Sequence, residues 1–105
     1  MISIERVRQL AMQLSDTTEE PHFHLPSFRI RKKIFATLWI KENRVMLKLS
    51  PVSQSVYCSY NSTIFFPVPG GWGLKGATFV DLDEVGEDIF KEALQTAYNE
   101  TNSKK

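Results

Sequence analysis

The stretch FRIRKKIF, residues 28 to 35, sets Arg29, Arg31, Lys32 and Lys33 within a few positions, and Trp39, Lys41, Arg44 and Lys48 follow it. Cations at this density suit phosphate, because each one that neutralises a backbone charge releases condensed counterions. An aromatic ring among them offers a base a surface to stack on. The same pattern has a plainer reading, in which long Arg and Lys stems lie over Phe35 and Trp39 and shield an open sheet face.

Other residues raise other chemistries. His22 and His24, two apart, would share a strand face and could join Glu19 or Glu20 around a metal. The run DLDEVGED supplies Asp81, Asp83, Glu84, Glu87 and Asp88, although carboxylates in a first helical turn are favourable beside the helix dipole without any metal. GWGLKG, from Gly71 to Gly76, matches G-x-G-x-x-G. A dinucleotide site would need a helix after it to receive the pyrophosphate, and a strand-like ATFVDLD follows, so an ordered turn is expected. Trp72 would then pack in the core or, with Lys75, form the wall of a ligand pocket. Cys58 has no His or Lys beside it and reads as a packed thiol. No nucleophile elbow or metalloprotease spacing occurs, so no catalytic residue, cofactor or resident metal is expected and the chain reads as a non-enzyme.

The elements that must hold these residues follow from periodicity. Ile4, Val7, Leu10, Ala11 and Leu14 recur at helical spacing over residues 2 to 14, and Asp16, Thr17, Thr18 and Pro21 end that helix. From Ser27 the period falls to two, and KK and KENR separate three strands of an antiparallel meander; EEPHFHL could add a strand before it. Alternation assigns Phe28, Ile30, Ile34, Ala36, Leu38, Ile40, Val45, Leu47 and Leu49 to a face under helices. Arg29, Arg31, Phe35, Thr37, Trp39, Met46 and Lys48 fall on the other. Ser50 and Pro51 suit the N-cap and first turn of a short helix. Residues 61 to 76 read as a Pro- and Gly-rich loop with a short strand at TIFF, ATFVDLD as the last strand, and Glu87 to Tyr98 as a final helix before a frayed tail at 99–105.

A chain of 105 residues with ordinary composition forms one domain over 1–105, and its class is α+β: an antiparallel sheet covered on one face by the N- and C-terminal helices. Its single cysteine, and an N-terminus without a signal-peptide core or membrane span, suit a cytoplasmic protein, and a monomer is expected; the N-x-T matches at Asn61 and Asn99 then carry no glycan. The net charge of +1 conceals an asymmetry. Residues 27 to 50 hold seven of the 13 basic residues and one acid, whereas residues 81 to 92 hold six acids and one lysine. Local field therefore matters more than isoelectric point.

PSFRIRKKIFATL, VMLKLSP, FFPVPGGWG and LQTAY together resemble the MmcQ/YjbR family of small bacterial proteins, from about Val7 to Tyr98. The resemblance implies a CyaY-like (frataxin-like) fold, paired hairpins described as a double wing, and DNA as partner. It marks Pro26, Ser27, Phe28, Lys33, Phe35, Ala36, Leu47, Lys48, Pro51, Pro69 and Trp72, of which Lys33, Lys48 and Trp72 could bind. Lys32 stands where the family commonly has Gly, and Ala77 where a Trp commonly precedes the last strand. Three readings result. The first is weak electrostatic nucleic-acid binding through Arg29, Arg31, Lys32, Lys33, Lys41, Arg44 and Lys48 with Trp39 stacking. The second is a protein- or small-ligand-binding module at Trp72 and Lys75. The third is a frataxin-like metal binder through the acidic run.

Overall fold

A computed structural model describes residues 1–103. Among them the order is α1 (Ile4–Met12), β1 (Thr17–His22), β2 (Leu25–Ile30), β3 (Lys33–Trp39), β4 (Arg44–Lys48), α2 (Pro51–Tyr60), β5 (Phe65–Pro67), α3 (Gly71–Leu74), β6 (Ala77–Asp81) and α4 (Glu87–Ser103). The strands form one antiparallel sheet in the order β1-β2-β3-β4-β6-β5, with α1, α2 and α4 on a single face. The expected meander is the centre of this sheet, and β6 enters it between β4 and the short edge strand β5.

The helices begin where the sequence caps them. Ser3 accepts from the Arg6 amide and Ser50 from the Ser53 amide, each satisfying a donor that the first turn leaves open. Val7, Leu10 and Ala11 of α1 and Phe90, Ala93, Leu94 and Ala97 of α4 close over Phe28, Ile30, Phe35, Leu38, Val45, Leu47 and Val80 in one core. Helix α4 does not stop at Tyr98. It runs to Ser103, with Thr101 buried and the half-buried Glu100 accepting from the Ser50 amide at 2.8 Å and from the hydroxyls of Ser50 at 3.0 Å and Ser53 at 2.6 Å. Residues 99–103 are therefore ordered helix rather than a frayed tail, because they complete the start of α2; residues 104 and 105 lie outside the described residues.

A bulge reverses part of the expected face assignment. Phe28 pairs with Ala36 but Arg29 pairs with Ile34, which leaves Phe35 as the extra residue on β3. Phe35 accordingly turns to the helices, fully buried, with its ring edge-on to Tyr98 at 5.5 Å. Ile34 moves to the opposite face beside Arg29, and Ile40 leaves the sheet altogether in the β3–β4 turn, 52% exposed.

Candidate nucleic-acid interface

Antiparallel pairing divides the predicted cations between two ends of the sheet. The β2–β3 turn carries Arg31 and Lys32, β3 begins at Lys33, and β4 ends at Lys48, all at one end. Lys41 and Arg44 stand at the other, about 20 Å away along β3 at an ordinary strand rise. Trp39 and Arg44, paired across β3 and β4, belong to this second end.

At the first end the turn is one residue earlier than KK suggests. Arg31 and Lys32 are its two central residues, with φ of 53° and 67°. A two-residue hairpin turn matches the sheet twist with both centres left-handed, a geometry usually given to Asn and Gly. A side chain with a Cβ there costs roughly 1–2 kcal/mol per residue. The chain accepts that strain and displays two exposed cations at the tip. Lys48 is exposed on the sheet face not covered by helices. Asp16, itself left-handed at φ 61°, leads into β1 at this same end.

On that uncovered face the other predicted contacts are occupied by the fold. Arg29 donates from Nε to Ser27 Oγ at 3.1 Å and from Nη2 to the Pro21 carbonyl at 3.1 Å. Trp39 donates from Nε1 to Thr37 Oγ1 at 2.9 Å and packs edge-on against Phe79 at 5.1 Å. The Arg44 guanidinium sits 5.2 Å from the ring centres of both Phe66 and Phe79. These side chains roof the sheet in place of a helix, and Phe79 and Thr37 are buried beneath them. Arg44 thus lies over Phe66 and Phe79, whereas the shielding reading of the sequence places cationic stems over Phe35 and Trp39. For Phe35 the bulge removes the question.

The acidic run faces the second end and mixes with its cations. Asp81 is registered opposite Arg44, and Asp83 accepts from Asn43 Nδ2 at 2.8 Å. Glu87 holds Arg6 through two bonds, 3.1 and 2.9 Å long, which raises the guanidinium pKa and keeps the Glu87 carboxyl below its ordinary range. Among the described residues no group of three or more His, Cys, Asp or Glu side chains is arranged to hold a metal ion. His22 closes β1 while His24 lies in the following turn, with the left-handed Phe23 between them, so the expected shared face does not form. Burial pushes the Cys58 thiol up, in keeping with a packed side chain.

The glycine-rich stretch folds as the short helix α3, which sequence reading missed because four residues with two glycines carry no helical periodicity. A Cβ at Gly73 would fall on the Val68 carbonyl oxygen, and one at Gly76, where φ is 113°, on that of Leu49. Trp72 is 68% exposed and Leu74 84%, so the expectation of core packing for Trp72 fails: the close backbone contacts of its neighbours hold it outside. Two shallow concavities lie elsewhere, one of about 520 Å³ bounded by Glu19, Phe23 and His24, the other of about 440 Å³ bounded by Tyr60, Glu84 and Ile89. Trp72 and Lys75 line neither.

No helix among the described residues is long and apolar enough to cross a membrane. Comparison with curated proteins gives no match. Among solved structures, the crystal structure of Deinococcus radiodurans protein DR2400, described with the domain DUF419, is similar with a TM-score of 0.83 at 18% identity. The likeness covers 99% of this chain and 81% of that one, and at this identity it speaks for the α+β fold. The family model described as YjbR matches residues 12–100, which takes in every strand and all of α2 and α3, and the chain belongs to the YjbR family.

Proposed function

We propose that this chain is a non-enzymatic, cytoplasmic and monomeric protein that binds nucleic acid weakly and electrostatically. Its principal contacts are Arg31 and Lys32 at the β2–β3 tip, with Lys33 and Lys48 beside them and Lys41 on the opposite hairpin as a peripheral contact. Arg29, Trp39 and Arg44 maintain the face between the hairpins. The observation that carries this reading is the tip itself: two exposed cations occupy the left-handed centres of a hairpin turn, positions that Asn or Gly would fill at less cost. Phosphate contacts of this type position a nucleic acid without reading its sequence, so little sequence preference is expected.

The test is fluorescence anisotropy with a labelled DNA oligonucleotide over a salt series, comparing the native protein with an Arg31→Glu/Lys32→Glu pair and with Lys41→Glu. The tip pair should lose at least about tenfold in affinity and flatten the salt dependence by about two phosphate contacts, while Lys41→Glu changes affinity by less than about threefold. Affinity indifferent to salt, or a tip pair that binds like the native protein, sinks the reading.

A further inference from the structure

We infer that the nucleic acid taken at the tip end is single-stranded, with Trp72 as the surface on which a base stacks; this rests on the nucleic-acid reading above and narrows it. The two tryptophans of the chain differ in what they can offer. Trp39 has its Nε1 bonded and its ring packed against Phe79. Trp72 has 68% of its surface in solvent, and Leu74 beside it is more exposed still.

The fold brings Trp72 to the cationic end rather than to a separate pocket. Helix α3 leads directly into β6, whose first residue, Ala77, is registered with Lys48. Gly76 sits against the Leu49 carbonyl, which ties the end of α3 to the end of β4, and Lys75 is exposed between them. From the β2–β3 tip across β4 to β6 is between two and three strand spacings, roughly 12 Å. Arg31, Lys32, Lys48 and Lys75 therefore lie along one rim of the sheet, with an exposed ring at its far end.

The platform is also held still. Gln54 Nε2 donates to the Gly73 carbonyl at 2.9 Å and to that of Ala77 at 3.0 Å, and Gly73 rests on the Val68 carbonyl. With the backbone fixed from two sides, only the two side-chain torsions of Trp72 remain to be ordered when a base settles on its ring. Stacking needs a base face that is free. In a duplex those faces are covered by neighbouring base pairs, whereas a single strand presents them and bends its phosphates along a row of cations. The rim has the cations and the exposed ring that a single strand uses.

The test uses Trp39→Phe, which leaves Trp72 as the sole indole, titrated with a short oligodeoxythymidylate and with a blunt duplex of the same length. The single strand should quench Trp72 and bind more tightly than the duplex at equal salt. Trp72→Ala should weaken single-strand binding by roughly 5- to 100-fold by anisotropy, and Trp72→Phe should restore most of it. Circular dichroism like that of the native chain is expected for both, since the side chain is largely in solvent. Single-strand affinity unchanged in Trp72→Ala, or a preference for the duplex, overturns the inference. If the duplex binds with dependence on Arg31 and Lys32 while Trp72 stays silent, the electrostatic reading survives without it. If neither form binds at low salt, both fall.

Discussion

The two ends of the sheet carry cations in different company. At the β2–β3 end, Arg31, Lys32, Lys48 and Lys75 are exposed with Asp16 as an exposed acid leading into β1, and Glu100, the acid of α4 at that end, is turned inward onto Ser50 and Ser53. At the β3–β4 end, Arg44 lies over two rings and opposite Asp81, and Asp83 binds the turn residue Asn43. A chain of net charge +1 thus gains a basic rim by topology: pairing β4 with β6 directs the acidic run to one end only. Charge counted along the sequence predicts two opposed surfaces, but register decides which cations remain available to a ligand.

The contrast between the ends can be broken most severely at Gly76. Gly76→Ala adds a Cβ against the Leu49 carbonyl in left-handed backbone, and should cost roughly 3–5 kcal/mol in chemical denaturation. Its expected signature is disturbance of Trp72 fluorescence and of α3, with the β3–β4 turn least affected. A much smaller loss would mean that the junction between β4 and α3 is soft and the rim less defined than its contacts imply.

A milder change separates strain from charge at the tip. Lys32→Gly relieves one left-handed side chain but adds glycine's freedom to the unfolded state, for a net stabilisation of about 0.5–1 kcal/mol. The same variant should bind nucleic acid less well, so stability and affinity move in opposite directions. A variant that is both more stable and equally tight would show that the charge of Lys32 is incidental.

At the far end the expected effect is smaller and depends on pH. Arg6 holds the Glu87 carboxyl below its ordinary range, so the pair's contribution is fully present above that range and is lost as pH falls through the lowered value. An acid titration of native protein against Glu87→Gln should diverge only above the acidic limb and converge below it. Because both groups are exposed, the difference should be slight and should shrink further in salt.

Much of this arrangement was legible from residue types. Helical spacing and the Ser–Pro start located α1, α2 and most of α4, and the period of two located β2, β3 and β4. The errors came from places where one residue alters the count. The bulge at Phe35 cannot be read from alternation, since it is the very interruption of alternation, and it exchanged the faces of Phe35 and Ile34. The tip was placed one residue late because Arg31 and Lys32 lack the Gly or Asn that announces a left-handed turn. For the site, the cations were visible but their grouping was not. Lys75 and Trp72 join Lys48 only through pairing between β4 and β6, residues some thirty positions apart, and nothing local encodes that.

The bonds from Glu100 to Ser50 and Ser53 have a consequence for the order in which the molecule is made. During synthesis the sheet centre and all of α2 emerge well before the carboxylate that satisfies the start of α2, a separation of 50 residues. The nascent chain can pair β2, β3 and β4 early, because their turns are short, but the seam between α2 and α4 must wait until the last helix has been built. A chain ending before Glu100 would therefore hold its hairpins and the Tyr57 contacts to Glu92 and Thr96 while the start of α2 still lacked its carboxylate, so this end of the seam between α2 and α4 closes last.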